Sequence, residues 1–463
     1  MRPGCRHAAG AVQQTAPELH HTGIPAVAAP SIRTQNHVST VFTLVGGIVL
    51  ALLAAFAFIT VAANVEAAHQ DRVMKVPQIG TSLQEFLRAL HGAAGERVTH
   101  GNTVDLYQNG DEIFPPMLAA IHGSRSTIHL STYVYWAGVV PQTFARALSD
   151  AALRGVTVRV VLDSEGTEPM PRDLVQQMRD AGCTVTWFRR MRWFDWMKYN
   201  HRTHRRLLII DGTVAFTGGV GIADEWTGHA QSSAHWRDTH VRLTGPVVAS
   251  LQAAFTDNWN QSTNELLLDG RDYPELAPTG NIPVCAVIST PANGASEAQR
   301  VMAACVAGST RSLHVSNAYF LPQVSFIDAL CAARERGVDV RVLVPGPWHD
   351  QKLVQRASRH TWPRLVQAGV RIYEYQTTMM HAKTVTVDGE LLLVGSVNFD
   401  PRSFALNAEC AVVIVSRQHA EQAEARFQDD IAQATLVTSE QLAALSLGNR
   451  ILDRVCFWAR AQL

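Results

Sequence analysis

The sequence predicts an α/β fold of two similar halves related by a pseudo-twofold axis and preceded by one transmembrane helix. Three observations lead to this prediction. Residues 41–63 are almost continuously apolar, and beyond them strand patterns alternate with helix patterns. The order of these patterns, together with several short motifs, then occurs twice. Alternating strands and helices are typical of α/β units whose sheets are largely buried.

Length and composition exclude several classes of protein. A chain of 463 residues has room for a large core, which excludes a peptide hormone or a small disulfide-rich scaffold. Its 40 Lys and Arg balance its 40 Asp and Glu, so any attraction for polyanions must come from local clusters. The 7 cysteines are unevenly spaced and form no Cys-x-x-Cys pair, so neither a disulfide framework nor a zinc knuckle is indicated.

The apolar segment predicts a membrane-spanning helix. Its 23 residues would form a helix about 34 Å long, enough to cross a hydrocarbon core of about 30 Å. No Asp, Glu, Lys or Arg occurs from Thr34 to Val65. Because this stretch is too long for a cleaved signal peptide, we expect an uncleaved signal-anchor. The flanking basic residues are nearly balanced, so the orientation in the membrane is left open.

The sequence divides into six segments. We expect a disordered N-terminal segment (1–38), the transmembrane signal-anchor (39–65), a linker or helix (66–100), a first α/β domain (101–270), a second (271–435) and a C-terminal amphipathic helix region (436–463). The last segment carries apolar residues and arginines at helical spacing. It is expected either to lie on lipid or to dock on the fold.

The two α/β domains contain the same landmarks in the same order. Each has an apolar strand, an amphipathic helix ending in Arg-Gly, a second helix ending in Ala-Gly, and a His-x-basic motif that leads to Asp-Gly. The landmarks are Thr127–Tyr135, Gly155, Gly182 and His204, then Ser312–Phe320, Gly337, Gly369 and His381. Their period of about 180 residues is too long for a solenoid and indicates a duplicated domain.

The His-x-basic motifs carry the predicted chemistry. They comprise His204, Arg206 and Asp211 in the first half and His381, Lys383 and Asp388 in the second. Residues two apart at the start of a strand share a face, so each histidine and its cation point into one site. A pseudo-twofold axis would bring both sites together. Two imidazoles with two cations suit a phosphodiester, because the cations offset the anionic oxygens that repel a nucleophile.

These motifs resemble the H-x-K-x-x-x-x-D signature, present in two copies, of the phospholipase D superfamily. The resemblance covers roughly Thr103 to Gln428, and the second copy matches fully, through GSVNFDPRS and NAEC. The first copy departs from the pattern, because Arg206 occupies the lysine position and Gly221 stands where the second copy has Asn398. Further details of the first half resemble the bacterial cardiolipin synthase branch.

The resemblance implies a two-step transfer that needs no metal or other cofactor. One neutral histidine attacks phosphorus and forms a phospho-histidine, while the other protonates the leaving alkoxide and later deprotonates the incoming alcohol. By analogy His204 is the nucleophile and His381 the acid and base, and the pseudo-symmetry leaves the opposite assignment open. Lys383, Arg206 and Asn398 would then bind the phosphate.

The resemblance also assigns supporting residues. It places orienting carboxylates at Glu409 for His381 and at Asp238 for His204, and makes Ser396 a hydroxyl that lines the site. Asp211 and Asp388 are motif members that we expect to hold the Asp-Gly turns and not to touch substrate.

The function implied is that of a membrane-anchored phosphatidyltransferase of the cardiolipin synthase type, acting between phosphatidylglycerol molecules. Its partners would be an anionic phospholipid and the membrane, with the oligomeric state open. Water as the acceptor would make the protein a phospholipase D-type hydrolase. A phosphodiesterase or nuclease of the same fold is a further alternative. The departures at Arg206 and Gly221 leave open a catalytically decayed, membrane-bound binding module.

An insertion in the first half, between Gly182 and His204, mixes aromatic with basic residues. The residues are Trp187, Phe188, Arg189, Arg190, Arg192, Trp193, Phe194, Trp196, Lys198, Tyr199, Arg202, Arg205 and Arg206. The mixture suits the headgroup level of an anionic bilayer, a lid over the site, or single-stranded nucleic acid. Because of the anchor we expect lipid and disfavour nucleic acid.

A zinc site is the remaining alternative for the histidines of this region. The candidates are His201, His204, His235 and His240. They lack a matching carboxylate or thiol cluster, and the adjacent Arg205 and Arg206 would oppose a bound cation. We therefore expect no metal.

Overall fold

The computed structural model describes residues 42–55, 58, 83–189, 200–291 and 294–460. The chain forms two compact units, Met1–Ile59 and Thr60–Leu463. In the first unit residues 42–55 form a helix, α1, with exposed side chains. Within the described ranges no helix is both long enough and apolar enough to cross a membrane. Apart from residue 58, the rest of the predicted anchor (39–65) lies outside the described residues, as do all of segment 1–38 and much of 66–100.

The described residues of the second unit are built around one mixed sheet of 15 strands. The strands are β1 (Thr99–Gln108), β2 (Thr127–Thr132), β3 (Thr157–Asp163), β4 (Thr184–Phe188), β5 (Leu207–Ile210), β6 (Val214–Gly218), β7 (Thr239–Thr244), β8 (Ile282–Ser289), β9 (Ser312–Asn317), β10 (Asp339–Pro345), β11 (Arg371–Tyr375), β12 (Lys383–Val387), β13 (Leu391–Gly395), β14 (Glu409–Val415) and β15 (Ala434–Leu436).

Helices connect and cover the strands. They are α2 (Leu83–Ala94), α3 (Asn109–Gly123), α4 (Val139–Leu153), α5 (Arg172–Asp180), α6 (Val247–Thr263), α7 (Glu297–Gly308), α8 (Val324–Glu335), α9 (Lys352–Gln367), α10 (Pro401–Ala405), α11 (Arg417–Ile431), α12 (Ser439–Ala443) and α13 (Leu447–Trp458), with a short 3₁₀ helix at Asp224–Trp226.

The strand order confirms the duplication. From the centre outward the first half runs β1-β7-β6-β5-β2-β3-β4, and the second runs β8-β14-β13-β12-β9-β10-β11, with β15 added at its edge. β1 and β8 pair antiparallel where the halves meet. Equivalent strands therefore occupy equivalent places on the two sides of this junction, as a pseudo-twofold axis requires.

The repeated sequence landmarks have matching local structures. Gly155 and Gly337 follow α4 and α8 with φ of 93° and 91°, left-handed values that glycine adopts at little cost. The strands that come next, β3 and β10, have the same burial pattern, with only their first and third residues half-buried. Each half thus forms a parallel strand and helix unit from the same signals.

The core explains why the halves form one body. Each half has its own apolar cluster, and a third cluster lies where they meet. In this third cluster Val104 and Leu243 of the first half pack with Leu392 and Val412 of the second. Burial of apolar surface therefore stabilises the junction between the halves as well as each half.

The two motif aspartates hold turns. Asp211 and Asp388 have φ of 52° and 55° and lie at the ends of β5 and β12 that are remote from the histidines. The Asp211 carboxylate accepts hydrogen bonds from the backbone N–H groups of Ser126 at 2.7 Å and Thr127 at 2.9 Å. Asp388 accepts the equivalent bond from Ser312 N–H at 2.9 Å. This geometry agrees with the turn-holding role expected from the sequence.

Replacing Asp211 with alanine should lower the melting temperature of the protein. The substitution leaves backbone donors without an acceptor, at a cost of about 1–3 kcal/mol for a buried donor. Thermal unfolding followed by circular dichroism measures the change. Asp105→Ala is the matched control, since it removes only a half-exposed ion pair with Arg242 and should change the melting temperature little. Equal melting temperatures for the two variants would contradict the turn-holding role.

Candidate active site

His204 and Glu409 form one buried pair. His204 lies just before β5, and its Nδ1 is 3.0 Å from both carboxylate oxygens of Glu409, the first residue of β14. Ser403 Oγ donates to the same carboxylate at 2.7 Å, and Ser396 Oγ donates to it as well. Because an ionised carboxylate only accepts hydrogen bonds, His204 Nδ1 carries the proton and its Nε2 keeps a lone pair.

His381 and Asp238 form the second buried pair. His381 lies just before β12, and its Nδ1 is 2.7 Å from Asp238 Oδ2. The same oxygen accepts a hydrogen bond from the Trp226 indole Nε1 at 2.7 Å, and the backbone N–H of Thr239 donates to the other oxygen at 2.8 Å. Each histidine therefore has a carboxylate that fixes its ring orientation and its tautomer.

The pairing is the reverse of the one that the sequence predicted. Glu409 was expected to orient His381 and Asp238 to orient His204, but each carboxylate contacts the histidine of the other half. We call the observed pairs the crossed dyads. Each half supplies the carboxylate that orients the histidine of the other half. Neither repeat alone therefore holds its own histidine in this orientation.

Short backbone bridges between the halves explain the crossing. Thr203 pairs with Ala408, and Arg237 pairs with Met380, so that the residue before each histidine meets the residue before its carboxylate. The backbone N–H of His204 donates to the Ala408 carbonyl at 2.8 Å, and that of His381 donates to the Arg237 carbonyl at 2.7 Å. The two bridges obey the pseudo-twofold symmetry and set the register of the crossed dyads.

Each histidine also contacts the cation of its own motif. Arg206 Nη1 lies 3.0 Å from His204 Nε2, and Lys383 Nζ lies 3.1 Å from both ring nitrogens of His381. Both cations are buried. The structure thus brings each predicted histidine and its basic residue together, as their spacing of two residues indicated.

Burial and the cations control the charge of the site. Burial, followed by the neighbouring Arg206, lowers the pKa of His204 to about 4 against the opposing effect of Glu409. Burial and Lys383 lower the pKa of His381 in the same way. The pKa of Lys383 falls to about 7, chiefly because it is buried. At neutral pH and without an anionic ligand, both imidazoles are therefore neutral.

Burial alone would raise the pKa of each dyad carboxylate, but contacts with the paired histidine outweigh it. The pKa of Glu409 is lowered by His204 and by the hydroxyls of Ser396 and Ser403. The pKa of Asp238 is lowered by His381 and Lys383. Both carboxylates thus remain ionised and able to stabilise a positive charge on their histidines.

The crossed dyads open into a single cavity of about 580 Å³. His204, His381, Arg206 and Asn398 all line it. Asn398 is 3% exposed, and its Oδ1 has no hydrogen-bond partner among the described residues, which leaves this amide available to a ligand. Glu409 contacts His204, Asp238 and Lys383 contact His381, and Ser396 contacts Glu409. The cavity has the cations and the donors that an anionic diester requires.

The first half replaces the polar position of Asn398 by packing. A Cβ on Gly221 would lie 2.7 Å from Val134 Cβ and 3.0 Å from the Trp226 ring, so the ring occupies the space that Asn398 has in the second half. Trp226 and Ser403 are each eight residues beyond the glycine of their motif. Each donates to one dyad carboxylate. The departure at Gly221 therefore changes how the carboxylate is held, while the dyad is retained.

Several site residues were not identified from the sequence. Trp226, Ser403, Tyr133 and Tyr319 contact the dyads, with the Tyr133 ring 5.3 Å from His204 and the Lys383 ammonium 6.0 Å from the Tyr319 ring. The equal spacing of Trp226 and Ser403 was a usable signal. Because their side chains differ chemically, the repeat comparison did not reveal it.

The predicted lipid-facing insertion needs a correction. Residues 190–199, which hold most of its aromatic and basic residues, lie outside the described residues. Arg202, Arg205 and Arg206 do not face lipid, because they are 1%, 0% and 3% exposed. Acidic and polar groups of the fold bind them, such as the buried Asn258, whose side-chain oxygen is 3.0 Å from Arg205 Nη1. These three arginines belong to the site and its support.

Comparisons with known proteins agree with this architecture. A family model described as "Cardiolipin synthase, PLD-like domain" matches residues 117–256 and 302–431, one segment in each half. Cardiolipin synthase A of Pseudomonas putida (strain GB-1) is 34% identical over 355 residues, 76% of this chain and 74% of that protein. The Bacillus subtilis (strain 168) protein named "Probable cardiolipin synthase YwiE" is 31% identical over 387 residues, 83% of this chain and 76% of that protein.

Solved structures show the same fold at low sequence identity. The phosphatidylserine synthase of Haemophilus influenzae Rd KW20 has a TM-score of 0.63 and 13% identity, with 81% of this chain and 99% of that chain covered. A polyphosphate kinase from Porphyromonas gingivalis has a TM-score of 0.51 and 13% identity, with 73% of this chain and 49% of that chain covered.

The crossed dyads predict which carboxylate controls which histidine. Glu409→Gln should remove the low-field proton resonance of the His204 Nδ1–H group and leave that of His381, because only the first loses an ionised acceptor. Asp238→Asn should do the opposite. Proton NMR measures both resonances. Each is assigned to its histidine because it disappears in the His204→Asn or the His381→Asn variant. If Glu409→Gln instead affected His381, the halves would be paired as the sequence suggested.

Proposed function

The chain belongs to the cardiolipin synthase family with PLD-like domains, and we propose that it transfers a phosphatidyl group from one phosphatidylglycerol to another through a phospho-histidine. It is a phosphatidyltransferase of the phospholipase D superfamily. The observation that supports the detailed proposal is the pair of crossed dyads, each with its cation, at one cavity. Such a site offers both a neutral nucleophile and a proton carrier.

In the first step His204 Nε2 attacks the phosphorus of the donor lipid. An N–P bond forms, and the bond between phosphorus and the oxygen of the headgroup glycerol breaks. His381 gives its proton to this oxygen, so glycerol leaves as a neutral alcohol. The Nδ1 proton of His204 stays hydrogen-bonded to Glu409, which stabilises the positive imidazole in the adduct.

The anionic substrate prepares His381 for this role. Without substrate, burial and Lys383 keep the pKa of His381 low. A bound phosphodiester brings a negative charge that offsets Lys383 and Arg206, and Asp238 already favours the protonated ring. Binding of the diester therefore raises the pKa of His381 and couples protonation of the acid to occupancy of the site.

In the second step a hydroxyl on the headgroup of a second phosphatidylglycerol replaces glycerol. His381, now neutral, accepts the hydroxyl proton while the oxygen attacks phosphorus and the N–P bond breaks. The products are cardiolipin, free His204 and protonated His381. Over the two steps, two phosphatidylglycerol molecules give one cardiolipin and one glycerol.

Phosphate binding is assigned to Arg206, Lys383 and Asn398. Arg206 presents a planar group with several donors near His204 Nε2, where the phosphate oxygens must lie during attack. Asn398, which belongs to the second half of the chain, lines the same cavity. Preorganised positive charge in a buried site stabilises the additional charge on the phosphate oxygens as the N–P bond forms.

The substrates are bilayer lipids, and we assign membrane attachment to the signal-anchor at 39–65. The support is the apolar sequence, of which residues 42–55 are helical and carry exposed large side chains such as Phe42, Leu50 and Leu52. A span of this length suits a bilayer core. Attachment would keep the cavity close to a supply of anionic phospholipid.

The full-length protein in detergent, with phosphatidylglycerol as the sole phospholipid, should produce cardiolipin and glycerol. His204→Ala and His381→Ala should each reduce the rate by at least about 10³-fold, because each removes a partner of the covalent mechanism. Chromatography of the lipids and an assay for glycerol measure the products. His91→Ala, at an exposed histidine on α2, is the matched control and should keep full activity. Phosphatidic acid in place of cardiolipin would make the protein a hydrolase.

Arg206→Lys should lower the transfer rate, by about tenfold, and Arg206→Ala should lower it by at least about 100-fold. The ammonium of lysine keeps the charge but loses the second donor arm of the guanidinium. Steady-state rates, compared at equal folded fraction, measure both effects. A large gain in Arg206→Lys from a wild-type rate near zero would show that the first half-site is decayed, and would contradict the catalytic role of Arg206.

A further inference from the structure

The C-terminal helix α13 is fixed to the fold by one face. Cys456 and Asp453 are buried against α9, and the Asp453 carboxylate lies 3.2 Å from Arg356 Nη1. The Phe457 ring of α13 lies 4.7 Å from the His360 ring of α9. The sequence had left open whether this segment lies on lipid or docks on the fold, and the structure shows that it docks.

The outward face of α13 remains apolar and exposed. Leu447 is 73% exposed, Ile451 and Val455 are each 55% exposed, Trp458 is 49% exposed and Leu452 is 42% exposed. Leu447, Ile451, Val455 and Trp458 are spaced three or four residues apart and lie along one side of the helix, with Leu452 next to Ile451. We call these five side chains the α13 face. Large apolar residues grouped in this way typically mark a surface that binds a partner or a membrane.

Positive charge borders the α13 face. Arg450 and Arg454 are exposed, whereas the only acidic residue of the helix, Asp453, is buried and paired with Arg356. Both arginines also line a groove of about 800 Å³ between α9, α12 and α13, together with Arg359 and other residues. Apolar side chains beside arginines match the acyl chains and the anionic headgroups of a bilayer surface.

The C-terminal end of α13 lies beside the catalytic cavity. Arg460, directly after α13, lines that cavity, as does Leu353 at the start of α9. Leu353 is 56% exposed, and the nearby Trp348 is 47% exposed. Two large apolar side chains are therefore exposed near Arg460 and the cavity, and tryptophan is a residue that favours the interface between lipid and water.

From these observations we infer that the α13 face docks on the surface of an anionic bilayer and sets the catalytic cavity against the headgroups. The inference rests on the proposed function, because only a lipid substrate requires this placement. A second copy of the chain fits less well: two α13 faces in contact would bring Arg450 and Arg454 of both copies together, and like charges oppose association. Anionic lipid neutralises the same arginines.

Hydrogen exchange in the full-length protein tests docking without relying on activity. The protein is reconstituted in nanodiscs of phosphatidylcholine alone or of phosphatidylcholine with phosphatidylglycerol. We expect slower exchange for residues 447–458 in the anionic discs and no change for α4, which carries an exposed leucine, Leu153, on another part of the surface. Equal exchange of α13 in the two kinds of disc would overturn the inference. So would protection in detergent that grows with protein concentration, since it would assign the face to a second copy.

Activity of substituted proteins tests the consequence of docking. Ile451→Asp combined with Val455→Asp should reduce transfer on phosphatidylglycerol vesicles by about tenfold or more, because charged side chains cannot enter the acyl region. With a short-chain phosphatidylglycerol dissolved as monomers, the same protein should match the wild type, which also shows that it is folded. Leu153→Asp combined with Leu268→Asp, at two leucines that are each 73% exposed, is the matched control and should behave as the wild type on both substrates.

The outcomes separate this inference from the proposed function. An active wild type whose α13 variant is equally active on vesicles would overturn docking and leave the transferase proposal intact. A wild type that fails on vesicles and on monomers alike would refute the transferase proposal. In that case the exchange result still decides whether α13 docks on anionic lipid.

Discussion

The hydrogen bond between each histidine and a carboxylate of the other half is the constraint on which the site depends. His204 needs Glu409, and His381 needs Asp238, so the site exists only when the two halves are joined in one register. Two backbone bridges, one beside each dyad, set that register, and the continuous central sheet keeps them aligned. A buried ion pair between Arg237 and an aspartate of α11 adds to this junction. Removing one partner of such a pair typically costs about 3–5 kcal/mol.

The halves share a backbone plan but support their carboxylates differently. In the second half, hydroxyl groups donate to Glu409, while in the first half the indole of Trp226 donates to Asp238 and fills the space above Gly221. This difference gives two chemically distinct dyads from one duplicated scaffold. Because their environments differ, the two histidines can take different roles, which a symmetric site could not enforce. In the first half, Trp226 thus compensates for the glycine at position 221 by filling its space and by holding Asp238.

Much of the fold could be predicted from the sequence, since strand alternation, helix ends and the His-x-basic spacing are local signals. The duplication followed from their repetition. The partner of each carboxylate could not be predicted, because Glu409 and Asp238 are equivalent members of the two repeats and either pairing satisfies the pattern. Only the register of the bridges decides between them. Arg205 was misplaced for a related reason: a basic residue in an aromatic stretch resembles a lipid contact until its buried partner in α6, Asn258, is known.

In the proposed mechanism His204 is the group that bonds to phosphorus, and trapping that bond tests the mechanism most directly. A phosphatidyl diester with a p-nitrophenolate leaving group needs no acid, so His381→Ala protein should still form the N–P bond and release p-nitrophenolate. Without His381 to activate an alcohol, the adduct should accumulate. Mass spectrometry of the quenched protein should find the phosphatidyl group on the peptide that contains His204. An adduct on His381 in His204→Ala protein, with none on His204 in His381→Ala protein, would contradict the account and reverse the two roles.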